Sequence, residues 1–366
     1  QPSPGTQPAQ VQPPQQRIQP AQGQPPQPQG QPQVQPQVQQ PALNFQRRVP
    51  AVLPPGPQGQ PPQRAQDPAG APRFGNVQQL HEQRQERVEA GGRVIIEEPD
   101  HRFIVRDGGQ AFIRHDETAR MFRFGEGRVE RRGDESYSII ARPDGDEIVT
   151  VTDDDGRLIR RFRRERDGRE YILIDNRMPR GGLVVLNLPP PYIGIPRDQY
   201  IVETGIAPQP LIYQTLAAPP LVASERPYSL DEIRYNEALR DRMRRIDVDT
   251  INFEFGSWEV GPDQVARLEF IARAIRDIVA RNPNEVFLIE GHTDAVGSDV
   301  DNLSLSDRRA ETVAYILTET FQIPPENLTS QGYGAHFLKI PTQEANRQNR
   351  RVTVRRITPL LRGASS

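Results

Sequence analysis

The first 72 residues set the strongest limit on what this chain can fold into. They hold about half of the chain's 38 prolines, a dense set of glutamines and almost no aromatic side chain. Runs such as Gln24-Pro25-Pro26-Gln27-Pro28-Gln29 favour solvated polyproline II and flexible coil. Such a stretch cannot bury enough apolar surface to offset the entropy of ordering it. Residues 1–75 are therefore expected to be a disordered Pro/Gln-rich segment. It reads either as a spacer, reaching on the order of 200 Å at ~3.1 Å per residue when extended, or as an inert tail. A hydrophobic content of 35% agrees with a chain of which only part packs.

The remaining composition excludes several classes. The 46 basic and 48 acidic residues are interspersed rather than gathered into a basic stripe, so nucleic acid is not an expected partner. Cysteine is absent, which leaves no disulfide framework, no thiolate metal site and no lipidated cysteine within these residues. No run approaches the roughly 18 apolar residues of a membrane-spanning helix, and the best candidate, 183–188, ends in Pro189-Pro190-Pro191. The chain begins at Gln1 rather than at methionine, which suggests a removed leader or a fragment and is compatible with export.

Past the proline-rich stretch, helix-forming Gln, Glu and Arg with few apolar positions predict one exposed or partner-dependent helix over 76–91. From 92 to 185 the pattern becomes short runs rich in Val, Ile, Phe and Tyr, broken at Asp107-Gly108, Asp144-Gly145, Asp155-Gly156 and Asp167-Gly168. Those are hairpin signals, and they predict an antiparallel β-meander with strands at 147–152, 157–163 and 171–174. A lipid-facing barrel is rejected, because Arg160-Arg161-Phe162-Arg163-Arg164 puts arginine on both faces of its strand. A proline-punctuated connector over 186–228 holds a candidate strand at 200–203 and a short helix at 210–217. Ser229-Leu230-Asp231-Glu232 then opens a linker helix, 229–246, with an S-x-x-E capping box.

The last folded region spans 247–358, followed by a tail, 359–366. Alternation at Ile251 and Phe253 reads as a strand over 250–255, and apolar residues at Val265, Leu268, Ile271, Ala272, Ile275 and Ile278 give a helix one buried stripe. A second strand (286–290), a second helix (303–321) and strands at 327–331 and 351–357 follow. The first two strands are expected to run parallel.

Chemistry concentrates in Gly291-His292-Thr293-Asp294-Ala295-Val296-Gly297 and in Asn302-Leu303-Ser304-Leu305-Ser306-Asp307-Arg308-Arg309-Ala310. Asp294 sits where a strand ends. Asn302, Ser306 and Arg309 fall at i, i+4 and i+7 and share a helix face that can meet the loop carrying Asp294. A carboxylate and a guanidinium on opposite sides of a small pocket are complementary to a zwitterion, so an amino-acid headgroup is the natural ligand. Each charge-assisted bond contributes roughly 1.5 to 3 kcal/mol, and a polymer displaying many headgroups adds multivalency.

Taken together, GHTD with a following glycine, N-x-x-L-S-x-x-R-A, Gly332-Tyr333-Gly334 and Asn349-Arg350-Arg351-Val352 resemble the OmpA-like C-terminal domain, found also in peptidoglycan-associated lipoproteins and flagellar motor stator proteins. The resemblance covers about a third of the chain. For that third it implies a βαβαββ domain, which together with the antiparallel meander and the disordered N-terminus read above makes an α+β chain. It further implies a non-catalytic domain that holds peptidoglycan non-covalently through the diaminopimelate of the stem peptide and anchors an envelope component to the cell wall. The implied location is the periplasm, at the outer membrane and cell wall. The position of Asp294 would bind the ammonium and that of Arg309 the carboxylate, with Asn302 and Arg350 lining the pocket and Gly256 and Ser257 offering backbone amides. Two departures stand out. Trp258, the only tryptophan, occupies a place where a small residue is expected, and 342–347 lacks the glycine usual before N-R-R-V.

Plainer readings stand beside these. Taken alone, Asp294 is an Asx-turn residue and Arg309 a solvated or ion-paired helix residue, as Arg308 is expected to be. Arg351 reads as a buried clamp, His292 as a hydrogen-bonded core residue rather than a metal ligand or base, and Trp258 as packing rather than a sugar platform. An enzyme lacks any nucleophile with a base or any zinc constellation, and no cofactor is expected. The remaining alternative is a structural protein whose meander binds an outer-membrane or other envelope partner while the wall domain only localises it.

Overall fold

The computed structural model describes residues 76–363 except 90, 155, 178–185 and 187, and the strands of these residues form three sheets. The Pro/Gln-rich segment lies outside the described residues. The first sheet runs antiparallel in chain order through β1 (Gln85–Val88), β2 (Val94–Glu97), β3 (Arg102–Asp107) and β4 (Gln110–His115). The helix expected over 76–91 is not there. A 3-10 segment, Val77–Gln83, leads into β1, whose polar residues pair from Gln85↔Glu97 to Val88↔Val94. Ladder hydrogen bonds to β2 outweigh a weak local preference for helix.

A short helix, α1 (Thr118–Phe122), leads to the second sheet, β5 (Gly127–Arg132), β6 (Glu135–Ala141), β7 (Glu147–Asp153), β8 (Leu158–Arg164) and β9 (Glu170–Asp175). All neighbours are antiparallel, as the turn spacing predicts, although the meander is split into two sheets around α1.

The third sheet has the order β10 (Ile201–Glu203), β11 (Arg245–Val248), β14 (Val352–Arg356), β12 (Phe287–Gly291), β13 (Leu328–Gly332). β11 and β12 run in one direction, each antiparallel to β14 between them, and β12 pairs parallel with β13. The helices associated with it are α2 (Arg197–Tyr200), α3 (Gln209–Ala217), α4 (Leu230–Tyr235), α5 (Glu237–Arg240), α6 (Pro262–Val265), α7 (Glu269–Arg281) and α8 (Asp299–Glu319). The Ser229/Glu232 capping box is present, but the expected single helix over 229–246 breaks at Asn236, which caps α5, and its last residues form β11. The expected strand over 250–255 is coil, from which Ile251 and Phe253 still reach the core.

Two cores cover the two faces of this sheet. Ile271, Ala272, Ile275 and Ile278 of α7, with residues of α3 and α8, pack on Phe287 and Ile289. The alternate residue of β12, Leu288, faces Leu230, Ile233 and Leu239 together with Leu173 and Ile174 of β9.

The small sheets lie directly against this assembly. Ile96, Ile104 and Ile113 pack on Val300 and Leu303 of α8. The outer edge of β13 is closed by side chains. Glu117 accepts from the Ser330 amide at 2.8 Å and Asp307 from the Gly332 amide at 2.9 Å. Arg120 and Arg161 donate to the Leu328 carbonyl, and Arg234 to that of Ser330. Alternate main-chain groups along one strand edge are thereby satisfied without another strand.

Candidate functional site

The site is built where α8 lies on the ends of β12 and β13. A Cβ on Gly291 would stand 1.9 Å from the Ser306 carbonyl oxygen, and one on Gly332 would stand 2.4 Å from the Asp307 nitrogen. The helix can approach this closely only over glycine, which is a physical reason for the first residue of each motif. Thr293 donates its amide to the Gly334 carbonyl at 2.9 Å, and the Ser306 hydroxyl accepts from the Gly334 amide at 2.8 Å. The Asp294 loop is therefore fixed against both the strand ends and the helix.

Asp294 is buried, with 4% of its surface exposed, and its carboxylate is engaged. Oδ2 accepts from Arg350 Nη1 at 2.6 Å and from the Asn346 amide at 3.3 Å, while Oδ1 accepts from the Val296 amide at 3.4 Å, the Asx-type contact expected of it alone. Asn302 is buried in the first turn of α8, its side-chain oxygen 3.9 Å from where a Cβ of Gly297 would stand, and so faces this loop.

Arg309 is fully buried, against the expectation of an exposed helix face. The loop 254–258 folds over it. Nε donates to the Ser257 carbonyl at 3.0 Å, Nη2 to the Glu254 carbonyl at 3.2 Å, and the guanidinium lies 4.8 Å from the centre of the Phe253 ring. Nη1 has no partner among the described residues. Burial, and then the charge of Arg350, push the Arg309 pKa down to about 9, with Asp294 opposing through space. It remains charged at neutral pH.

Arg309 and Asp294 thus share one electrostatic neighbourhood without a direct bond, with Arg350 on the carboxylate. Beside them opens a cavity of about 120 Å³ lined by Asn252, Phe253, Arg347 and Arg350. The loop contributes carbonyls where amides were expected. The Ser257 amide is spent on the Glu254 carbonyl at 3.1 Å, and the Gly256 carbonyl accepts from the Val77 amide at 3.1 Å.

Residues 252–352 match the model of the OmpA family. This segment is an OmpA-family domain. Among curated relatives, outer membrane porin F of Pseudomonas aeruginosa is 31% identical over 110 residues, which is 30% of each chain. The putative lipoprotein YfiB of Escherichia coli is 41% identical over 73 residues, 19% of this chain and 46% of that one. The chain spans under a third of the length of the porin F relatives it matches. Among solved structures, a peptidoglycan-associated lipoprotein from Burkholderia pseudomallei is 25% identical, with a TM-score of 0.26, over 29% of this chain and 87% of that one. The periplasmic domain of Helicobacter pylori MotB is 19% identical with the same score, over 30% and 69%.

Several plainer readings hold in the OmpA-family domain. Arg308 pairs with Glu98 at 2.8 Å and with Asp100. Arg351 is a buried clamp on the Phe337 carbonyl at 3.0 Å. His292 is a core residue, buried and stacked on Tyr333, but neither ring nitrogen has a hydrogen-bond partner among the described residues, against the expectation; burial together with Arg351, Arg245, Arg240 and Arg355 pushes its pKa well below the usual value. Trp258 carries the Arg308 guanidinium 4.9 Å above its ring. Asn252, Phe253 and Arg347 were missed from sequence. Only the departure of 342–347 from the family pattern marks the place of Arg347.

Among the described residues no group of three His, Cys, Asp or Glu could hold a metal, and no helix is long and apolar enough to cross a membrane.

Proposed function

We propose that the OmpA-family domain binds peptidoglycan non-covalently through the diaminopimelate headgroup of its stem peptide and so anchors an envelope component to the cell wall, in the periplasm at the outer membrane. The observation that carries this reading is the buried Arg309 with one arm unpartnered, beside the Asp294 carboxylate, whose one side-chain partner is the partly buried Arg350 and whose other donors are the Asn346 and Val296 amides. A headgroup carboxylate would take Nη1 of Arg309. Its ammonium would compete with Arg350 for Asp294, and the displaced Arg350 could then share the carboxylate. The role is one of binding, not catalysis.

Co-sedimentation of the full chain with purified sacculi tests this. Wild type is expected in the pellet, and Asp294→Asn is expected to weaken binding roughly 10- to 100-fold, the loss of one charge-assisted bond. Because Arg309 also holds the 254–258 loop, Arg309→Lys is the informative variant there, and its circular dichroism is read alongside. Equal pelleting of Asp294→Asn and wild type would refute the headgroup assignment.

A second reading, in which the meander binds an envelope partner and the wall domain only localises it, is favoured by the outer edges of β1 and β5, which pair with no further strand among the described residues, with Val88 and Val129 exposed. Capture of one partner by residues of these strands, in a sacculus-binding-deficient variant, would support it.

A further inference from the structure

The charge around the cavity beside Asp294 does not balance. Arg347 and Arg350 line it, and Phe253, which also lines it, carries Arg309 on its ring. Against these three guanidiniums the contacts supply one carboxylate, Asp294. Glu254 and Glu344, in the two loops that bound the cavity, are exposed and form no ion pair with them among the described residues. A diamino-acid headgroup brings one ammonium and one carboxylate, and so leaves the excess of two positive charges in place.

Arg347 is posed for a further anion. Its Nε is held on Asn252 Oδ1 at 2.8 Å, which fixes the plane of the fork, and neither Nη has a partner among the described residues. A planar fork with two free donors suits a carboxylate. The cavity, about 120 Å³, accommodates such a group with water, over an apolar wall supplied by Phe253. Arg350 lies between the two places, on the lining of the cavity and on Asp294 at once.

We infer that this cavity is a second anion subsite, which takes a carboxylate of the stem peptide outside the diaminopimelate headgroup and grips it with Arg347. The inference rests on the headgroup reading. Two carboxylates have the required chemistry: the one left free on the glutamate preceding diaminopimelate, and the one that ends the peptide. A ligand carrying either in addition to the headgroup matches the charge of the pocket better than a neutral zwitterion. A stem whose extra carboxylates are amidated matches it less well.

Isothermal titration of the full chain with three synthetic diaminopimelate stem peptides tests this: one with both carboxylates free, one amidated at glutamate and one amidated at the terminus. Amidating the carboxylate that occupies the cavity is expected to weaken binding roughly 5-fold, and the arm in which this occurs identifies the source. Arg347→Gln is expected to weaken the fully acidic peptide by a similar factor and to collapse the preference for acid over amide, with Arg347→Lys restoring part of it. If wild type binds all three peptides alike, or Arg347→Gln keeps the preference, the subsite is overturned while the headgroup reading stands. If no peptide binds wild type at all, the headgroup reading falls and takes the subsite with it.

Discussion

At the scale of single residues, the buried carboxylates and their partners decide how the small sheets are held. Glu117 is buried among Arg161 at 2.8 Å, Arg234 at 3.0 Å and Arg120, and also accepts from the Thr329 hydroxyl. Burial opposes its ionisation, but the three guanidiniums win and hold it well below the usual carboxylate range. Glu117→Gln leaves these arginines uncompensated, and is expected to cost about 3–5 kcal/mol in urea unfolding of the full chain. His115 is coupled to the opposite sign. Its Nδ1 lies 2.8 Å from Asp307, its Nε2 faces the Ser330 hydroxyl, and Arg102, Glu311 and Glu117 surround the pair. Burial lowers the His115 pKa and Arg102 adds to that, but the charge and hydrogen bond of Asp307 together with the charge of Glu311 outweigh them, so the net shift is upward. The charged imidazole therefore contributes stability that is complete below its unfolded value of about 6.5 and is lost as pH rises through the folded one. Unfolding free energy should fall as pH rises above about 6.5, and His115→Gln should flatten the fall. An unchanged slope would remove the ion pair from the account.

Among elements, the loop 254–258 and helix α8 are the pieces on which ligand binding turns. The loop is held from beneath by Arg309, from one side by the Val77 amide, and at Trp258 by Arg308, itself fixed by Glu98 and Asp100. Because Trp258 is the only tryptophan, emission excited selectively at tryptophan rather than at the nine tyrosines reads this loop alone. Titration with a diaminopimelate stem peptide is expected to change its emission saturably, and Arg308→Met to change the starting emission. A flat titration with binding detected by calorimetry would show that the loop does not respond.

The elements also show what a sequence makes visible. The stripe on α7, the hairpins between Asp-Gly turns and the Ser229 cap were legible because local spacing and local hydrogen bonding determine them. β11 was not, because Arg245 and Asp247 sit on a buried face where Asp247 is satisfied by Arg245 and Lys339, partners distant in sequence or hidden in strand geometry. Ile251 and Phe253 alternate like strand residues but enter the core from coil, since the ladder has already ended at Val248. At the site, Asp294 and Arg309 stood out through their motifs. The burial of Arg309 and the cavity contact of Arg347 depend on how two distant loops fold over α8, which no spacing encodes.

On the scale of the whole molecule, the described residues fall within one compact unit, Gln60–Ser366. Strands β10 and β11, from segments ahead of the OmpA-family match, complete the sheet that carries the site. Limited proteolysis is therefore expected to yield a resistant fragment that keeps β1 to β14 together, identifiable by mass, rather than one trimmed to 247–358. A chain deleted for 76–175 loses Glu117, Arg120 and Arg161 and uncovers Val300 and Leu303, and is expected to be poorly soluble. A soluble, monomeric deletion with native thermal stability would contradict that dependence.

Peptidoglycan is a repeating polymer, and wall binding would gather many copies of this chain on one surface at high local concentration. Strand β13 lies at the rim of its sheet, where stacking of neighbours usually starts. Charged side chains already occupy its main-chain hydrogen-bonding groups, so crowding offers that rim no template to extend, and close-set copies stay separate molecules there.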